Sequence, residues 1–126
     1  MPYTVFEYLY RDASNYKAHG RVWLAGTAAA DDHARIAACL HEGLYFIPEQ
    51  LNLPALQALL FPHSDGVTDD DHSWHEFCAL RCEVQPPPDG TIFMSLDRFI
   101  EAISALNGRW DAGQSALAHF DEGHSA

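Results

Sequence analysis

The stretch that most constrains the fold of this chain is residues 3–11, Tyr-Thr-Val-Phe-Glu-Tyr-Leu-Tyr-Arg. Aromatic and β-branched residues dominate it, and this composition favours a β-strand. Successive side chains of a strand point to opposite faces, so its apolar residues divide into two sets: Thr4, Phe6, Tyr8 and Tyr10, and Tyr3, Val5 and Leu9. A strand that is apolar on both faces needs cover on both, and we expect it at the centre of a sheet.

Two further segments predict strands, residues 20–26 and residues 74–84, because apolar and polar side chains alternate in both. The connection between the first two strands is too short for a helical crossover, so these strands should be antiparallel. In the third strand, strict alternation would place one set of residues on a single face: His75, Phe77, Ala79, Arg81 and Glu83.

Three segments predict helices. Residues 30–42 have apolar side chains at helical spacing and end at Gly43, and residues 54–60 begin with a proline, which suits a first helical turn. Residues 95–107 carry the clearest apolar stripe, with Ser95 as N-cap.

The order of these elements predicts a single α+β domain over residues 1–126. We expect a small, mainly antiparallel sheet with two to three helices packed mainly on one face. Residues 109–126 are expected to form a loosely attached C-terminal tail.

The charge of the chain is strongly negative and unevenly placed. It carries 7 basic and 18 acidic residues, a net charge of −11, and no Lys or Arg occurs between residues 36 and 80. Such a field repels the phosphates of nucleic acids and membranes, so we expect neither as a partner. It would attract cations or a basic protein surface.

The sequence also favours a soluble, cytoplasmic protein. No apolar run approaches the roughly 18 residues of a membrane span, and residues 1–7 lack the basic flank of a signal peptide. Three cysteines, Cys39, Cys78 and Cys82, are an odd number in mostly apolar surroundings, which suggests reduced and buried thiols.

Residues 68–76, Thr-Asp-Asp-Asp-His-Ser-Trp-His-Glu, are the one place where metal-binding or acid–base residue types crowd together. His72 and His75 are candidate metal ligands, with carboxylates from the preceding run of Asp69, Asp70 and Asp71. Their spacing matches no established metal motif. On a strand, His75 and Glu76 would also point to opposite faces and could not share an ion without a bulge.

The same stretch has two other interpretations. Asp70 or Asp71 could cap the turn before the strand while Trp74 anchors the loop on the core. Alternatively, an exposed Trp74 surrounded by Asp, His and Glu76 has the composition of a binding hot spot for a basic partner.

The densest cationic group, Arg11, Lys17 and His19, is the second candidate. Arg11 or Lys17 could act as an electrophile in a hydrolytic reaction, with His72 or His75 as the base. Alternatively, one of these cations forms an ion pair with the acidic stretch 69–76, and we favour this interpretation because it needs only proximity. The sequence contains no nucleophile-elbow motif and no phosphate-binding glycine loop.

Several short blocks suggest a relationship: Tyr10-Arg11-Asp12, Asn15-Tyr16-Lys17, Phe46-Ile47-Pro48-Glu49-Gln50, Leu53-Pro54, and Asp70-Asp71-His72 with Trp74-His75-Glu76. Together they resemble a group of small bacterial proteins that carry similar blocks in the same order, over roughly residues 8–83. The resemblance implies a bacterial, cytoplasmic origin. It does not indicate any particular activity.

These observations favour a non-catalytic binding module for a basic protein partner, in the manner of an immunity protein, antitoxin or inhibitor. The binding residues would be Asp69, Asp70, Asp71, Trp74, Glu76, Arg11 and Lys17. The alternative is a metal-binding protein or metal-dependent hydrolase that uses His72 and His75, and only this alternative requires a cofactor, a divalent metal. A DNA mimic ranks last because the acids are too local to imitate a phosphate backbone. The sequence leaves the oligomeric state open.

Overall fold

The computed structural model describes residues 2–11, 16–56 and 74–111. They form five strands, two α-helices and one short 3₁₀ helix. In chain order these are β1 (Tyr3–Arg11), β2 (Lys17–Ala25), α1 (Asp32–Ala38), β3 (Tyr45–Phe46), the 3₁₀ helix (Pro48–Leu51), β4 (His75–Glu83), β5 (Met94–Ser95) and α2 (Leu96–Ala105). Neither α-helix is long and apolar enough to cross a membrane.

The strands form one mostly antiparallel sheet in the order β3-β4-β1-β2-β5. Strand β1 lies at its centre, antiparallel to both β2 and β4, so the predicted central position is confirmed. The pair β3 and β4 is also antiparallel, whereas the short β5 runs parallel to β2. The predicted α+β fold is therefore confirmed.

The core lies between one face of this sheet and the two helices. Phe6 of β1 is fully buried at its centre, and its ring contacts one ring each from β4, α2 and β3. The ring-centroid distances are 5.1 Å to Phe77, 4.8 Å to Phe99 and 5.8 Å to Phe46. Ile36 of α1 joins the same cluster, so both helices cover the same face. We call this the core face and the opposite one the outer face.

Helix α2 has the predicted start. The Ser95 hydroxyl accepts a hydrogen bond from the Arg98 backbone N–H at 3.3 Å. The buried residues of α2 are those of the predicted stripe, Leu96, Phe99, Ile100 and Ile103. Local capping and periodicity were sufficient to locate this helix.

The prediction for residues 30–42 was too long, because α1 ends at Ala38. The chain then reverses so that His41 can pair with Tyr45. Glu42 and Gly43 have φ values of 54° and 74°, and the Leu44 N–H donates to the His41 carbonyl at 3.1 Å, as in a type I′ turn. Gly43 therefore belongs to a tight turn and is not a helix stop.

The predicted helix 54–60 falls partly on described residues, and residues 54–56 are not helical. Their backbone groups are used elsewhere. The Tyr8 hydroxyl donates to the Pro54 carbonyl at 2.7 Å, and the Leu56 N–H donates to His75 Nε2 at 3.0 Å. Residues 57–60 lie outside the described part of the chain.

The face assignment predicted for the third strand was wrong beyond Phe77. Glu7 pairs with Ala79 and Tyr8 pairs with Phe77, so Cys78 is an extra residue on β4 and forms a bulge. The bulge restores Leu80 to the core face and turns Arg81 and Glu83 to the outer face. Cys78 and Cys82 are exposed and Cys39 is half-buried, so the expectation of three buried thiols was also wrong.

The first residues of the predicted tail are held against the fold. Trp110 Nε1 donates to the Cys39 carbonyl at 2.8 Å. The Gln50 side chain bonds the backbone on both sides of Trp110, at Arg109 and Asp111. The rest of the predicted tail lies outside the described residues.

A substitution at Gly20 tests how closely β2 packs against the Tyr8 ring of β1. A Cβ atom at this position would lie 2.8 and 2.9 Å from two ring carbons of Tyr8, a ring that its bond to Pro54 holds in place. We expect Gly20→Ala to lower the free energy of unfolding by about 1–3 kcal/mol, measured by urea denaturation. In a Tyr8→Leu background the same change should cost less, and equal costs in both backgrounds would contradict the close packing.

Candidate functional site

The candidate site lies where β4 begins, and its first described members divide between the two faces of the sheet. His75 points to the core face and is fully buried. Its ring lies near those of Tyr10 and Tyr8, at centroid distances of 5.3 and 6.1 Å. Glu76 points to the outer face, where it is paired in register with Leu9. The expectation that strand geometry separates these two side chains agrees with this placement.

The hydrogen bond of His75 defines its chemical state. A backbone N–H can only donate, so Nε2 accepts from Leu56 and carries no proton. The neutral imidazole therefore holds residues 53–56 against the start of β4. The lone pair of Nε2, which a metal ion or a substrate proton would need, is used in this bond.

Glu76 forms an ion pair with Arg11 on the outer face. The Arg11 Nε and Glu76 Oε2 atoms are 3.0 Å apart, with side-chain exposures of 39% and 17%. The sequence favoured an ion pair between Arg11 or Lys17 and the acidic stretch 69–76, and Arg11 forms such a pair. A partly exposed pair of this kind contributes about 0–1 kcal/mol. Its main consequence is positional, because it holds the Glu76 carboxylate of β4 against the end of β1.

Trp74 precedes β4 and forms an exposed corner with the type I′ turn. Its half-buried indole stacks on His41, with ring centroids 4.7 Å apart and planes at 26°. His41 and Glu42 are more than half exposed, and His41 Nε2 lies 4.0 Å from Glu42 Oε1. We call Trp74, His41 and Glu42 the Trp74 corner. Sequence reasoning considered His41 only as a distant histidine that could complete a metal set, and it missed the stack on Trp74 because the apolar spacing around His41 matches a helix.

The remaining predicted binding and metal residues are placed as follows. Lys17 is exposed at the start of β2, directly opposite Arg11 in the register. Asp69, Asp70, Asp71 and His72 lie outside the described residues. Within residues 2–11, 16–56 and 74–111, no three His, Cys, Asp or Glu side chains are grouped closely enough to hold a metal ion.

The outer face is a mixed-charge surface that the sequence did not predict. Four of the seven basic residues lie on it, namely Arg11, Lys17, Arg21 and Arg81, together with three acids, Glu7, Glu76 and Glu83. Arg81 joins Glu7 at 3.3 Å to Glu83 at 2.8 Å. Over the described residues this face is therefore close to neutral.

A shallow depression of about 520 Å³ lies near the middle of the outer face, lined in part by Glu7, His19, Arg21 and Cys78. Burial raises the pKa of the Cys78 thiol, and the nearby carboxylates of Glu76 and Glu7 raise it further. Arg11 acts in the opposite direction. The thiol of this depression is therefore a poor nucleophile at neutral pH.

Comparison of the chain with protein families, with curated proteins and with solved structures finds no match to any of them. The chemistry of its own surface is therefore the basis for a proposal about function.

The structural role of His75 can be measured by substitution. His75→Phe would leave the Leu56 N–H without an acceptor in a buried position, and we expect a loss of about 1–3 kcal/mol in the free energy of unfolding. His75→Gln, whose side-chain oxygen can accept the same bond, should recover part of this loss. A zinc-dependent stabilisation of the wild type that His75→Gln abolishes would instead identify His75 as a metal ligand.

The electrostatics of the outer face can be measured at Cys78 in a variant that lacks the other two cysteines. At pH 8, Glu7→Gln should accelerate alkylation by iodoacetamide, because losing the carboxylate lowers the thiol pKa and increases the thiolate fraction. Arg11→Gln should slow the reaction, because it removes the one charge that favours the thiolate. Equal effects of the two changes would contradict the described arrangement of charges.

Proposed function

We propose that the protein is a non-catalytic binding module that engages a basic surface of another protein through the Trp74 corner. The acidic run Asp69–Asp71 directly precedes this corner in the chain and would take part in the same contact. The observation that carries the proposal is the stack of Trp74 on His41 beside the exposed carboxylate of Glu42. An aromatic side chain held rigidly at the surface beside charged groups is typical of binding hot spots.

The charges of the chain support a basic partner. The outer face balances its own acids and bases, whereas the stretch from residue 36 to residue 80 contains no Lys or Arg. Arg11, on the strand next to β4, is bonded to Glu76, and this bond reduces its repulsion of an approaching cation. A partner's Lys or Arg side chains would therefore meet the exposed carboxylate of Glu42 at the corner, which favours fast, salt-sensitive association.

The backbone of Glu42 supports a role outside folding. Its φ of 54° is unfavourable for a Glu residue, and a type I′ turn prefers Asn followed by Gly. A stabler residue was therefore accessible at this position. Retaining a carboxylate there, 72% exposed, is understandable if the carboxylate binds something.

The residues that could support a catalytic role are engaged in the fold. His75 Nε2 accepts a backbone hydrogen bond, and Glu76 is paired with Arg11. No observation on the described residues favours the metal-dependent alternative, so we propose the binding function alone.

The test compares protein capture from a bacterial lysate by the immobilised wild type and by three variants. Trp74→Ala removes the aromatic contact, and Glu42→Asn removes the carboxylate while relieving the turn. Ile92→Ala, which removes a similarly exposed apolar side chain elsewhere, is the matched control. We expect the wild type and Ile92→Ala to retain the same basic protein at low salt and to release it at high salt, where charges are screened beyond about 3 Å.

Glu42→Asn makes the test independent of folding. We expect this variant to be more stable than the wild type by up to about 1 kcal/mol, because Asn tolerates the left-handed conformation. It should nevertheless lose the partner. Capture that is insensitive to salt, or unchanged in both Trp74→Ala and Glu42→Asn, would rule out the Trp74 corner as a binding site for a basic protein.

A further inference from the structure

Among the described residues, one edge of the sheet is open along most of β4. Strand β3 pairs with only the first residues of β4, at His75 and Glu76, and the Phe77 N–H donates to the Leu44 carbonyl. In the part of the chain that the structure describes, no strand pairs with the outer edge of β4 beyond Phe77. The exposed side chains of Arg81 and Cys82 border this edge. An unpaired strand edge of this length is a template for another strand.

The side chains along this edge are complementary to themselves in one antiparallel register. When two copies meet about a twofold axis at Cys82, Arg81 of each copy lies opposite Glu83 of the other. Leu80 then lies opposite Val84, one of three large apolar residues that are exposed in the described chain. Arg81 and Glu83 share the outer face, as antiparallel pairing requires, and Val84 directly follows the end of β4.

The neighbouring registers are unfavourable. A twofold axis at Arg81 or at Glu83 places two like charges directly opposite each other. An axis at Leu80 brings Glu83 of the second copy opposite Phe77, where β3 already occupies the edge. Axes between residues would oppose side chains from different faces. Charge and sterics therefore select the register that is centred on Cys82.

We propose that the open edge of β4, together with the residue that follows it, pairs antiparallel over residues Leu80–Val84 with the same segment of a second copy of this chain, centred on Cys82. The two five-stranded sheets then form one continuous sheet. The Arg81 side chain, already between Glu7 and Glu83 of its own copy, gains Glu83 of the second copy as a neighbour. The surface is distinct from the Trp74 corner, which lies roughly 27 Å away at the other end of β4.

The size of the contact sets its strength. Pairing of about five residues per copy buries less than the roughly 1,200 Å² of a standard stable interface. We therefore expect a weak, concentration-dependent dimer, with a dissociation constant of about micromolar or higher.

The first test measures mass against concentration by sedimentation equilibrium. We expect the wild-type mass to double with increasing concentration. Arg81→Glu should weaken the dimer about tenfold or more by placing acids opposite each other, and Arg81→Glu with Glu83→Arg should restore it. Arg98→Glu makes the same charge change on α2 and should have no effect. A monomer at every concentration, or a dimer unaffected by Arg81→Glu, would overturn the proposal.

The second test measures the register by disulfide trapping. Directly opposed residues have Cα atoms about 4.5–5.5 Å apart, within the range for a disulfide. In a Cys39→Ser, Cys78→Ser variant, the azo oxidant diamide should take one hydrogen from each Cys82 thiol, forming the disulfide and the hydrazine. In a Cys39→Ser, Cys82→Ser variant the final yield of dimer should stay low, because Cys78 would lie opposite residue 86. Equal final yields would overturn the register.

Discussion

The structure depends on the enclosure of Phe6 in the central strand. Its fully buried ring contacts one ring each from β4, α2 and β3, so a single side chain joins three elements that are distant in sequence. Each buried aromatic side chain contributes about 2–3 kcal/mol when it leaves water. These contacts bring β3, β4 and α2 together over the core face of β1, and the sheet has the order β3-β4-β1-β2-β5.

The same arrangement determines what the start of β4 can do. Pairing with β1 directs His75 into the core, where Nε2 accepts the Leu56 N–H, and directs Glu76 outward to Arg11. The described residues with the greatest catalytic potential thus stabilise the fold. Two described features are not explained by the stability of the fold. They are the Trp74 corner, with a glutamate in an unfavourable turn conformation, and the self-complementary edge around Cys82. We propose that both are surfaces for recognition, one for a basic protein and one for a second copy.

The sequence predicted those elements whose signals are local or strongly periodic. Two-sided apolarity placed β1 at the centre, and Ser95 with the apolar stripe located α2.

The errors arose where distant contacts override local preference. Pairing of His41 with Tyr45 turned an apparent helix end into a type I′ turn, and bonds to Tyr8 and His75 kept residues 54–56 out of a helix. The bulge at Cys78, which reverses the faces of Arg81 and Glu83, follows from the pairing with Glu7 and Tyr8 and has no signature in the alternation. The sequence singled out Trp74, whereas its stack on His41 depends on the turn between His41 and Tyr45 and could not be predicted.

The central claim is that His75 of the acidic stretch stabilises the fold. The most direct measurement of this claim is the ¹⁵N nuclear magnetic resonance of the His75 ring. At neutral pH, Nε2 should have the chemical shift of an unprotonated nitrogen that accepts a hydrogen bond, and Nδ1 that of a protonated one. Both resonances should be unchanged by added zinc. A protonated Nε2, or a shift of its resonance on zinc addition, would contradict the structural role of His75.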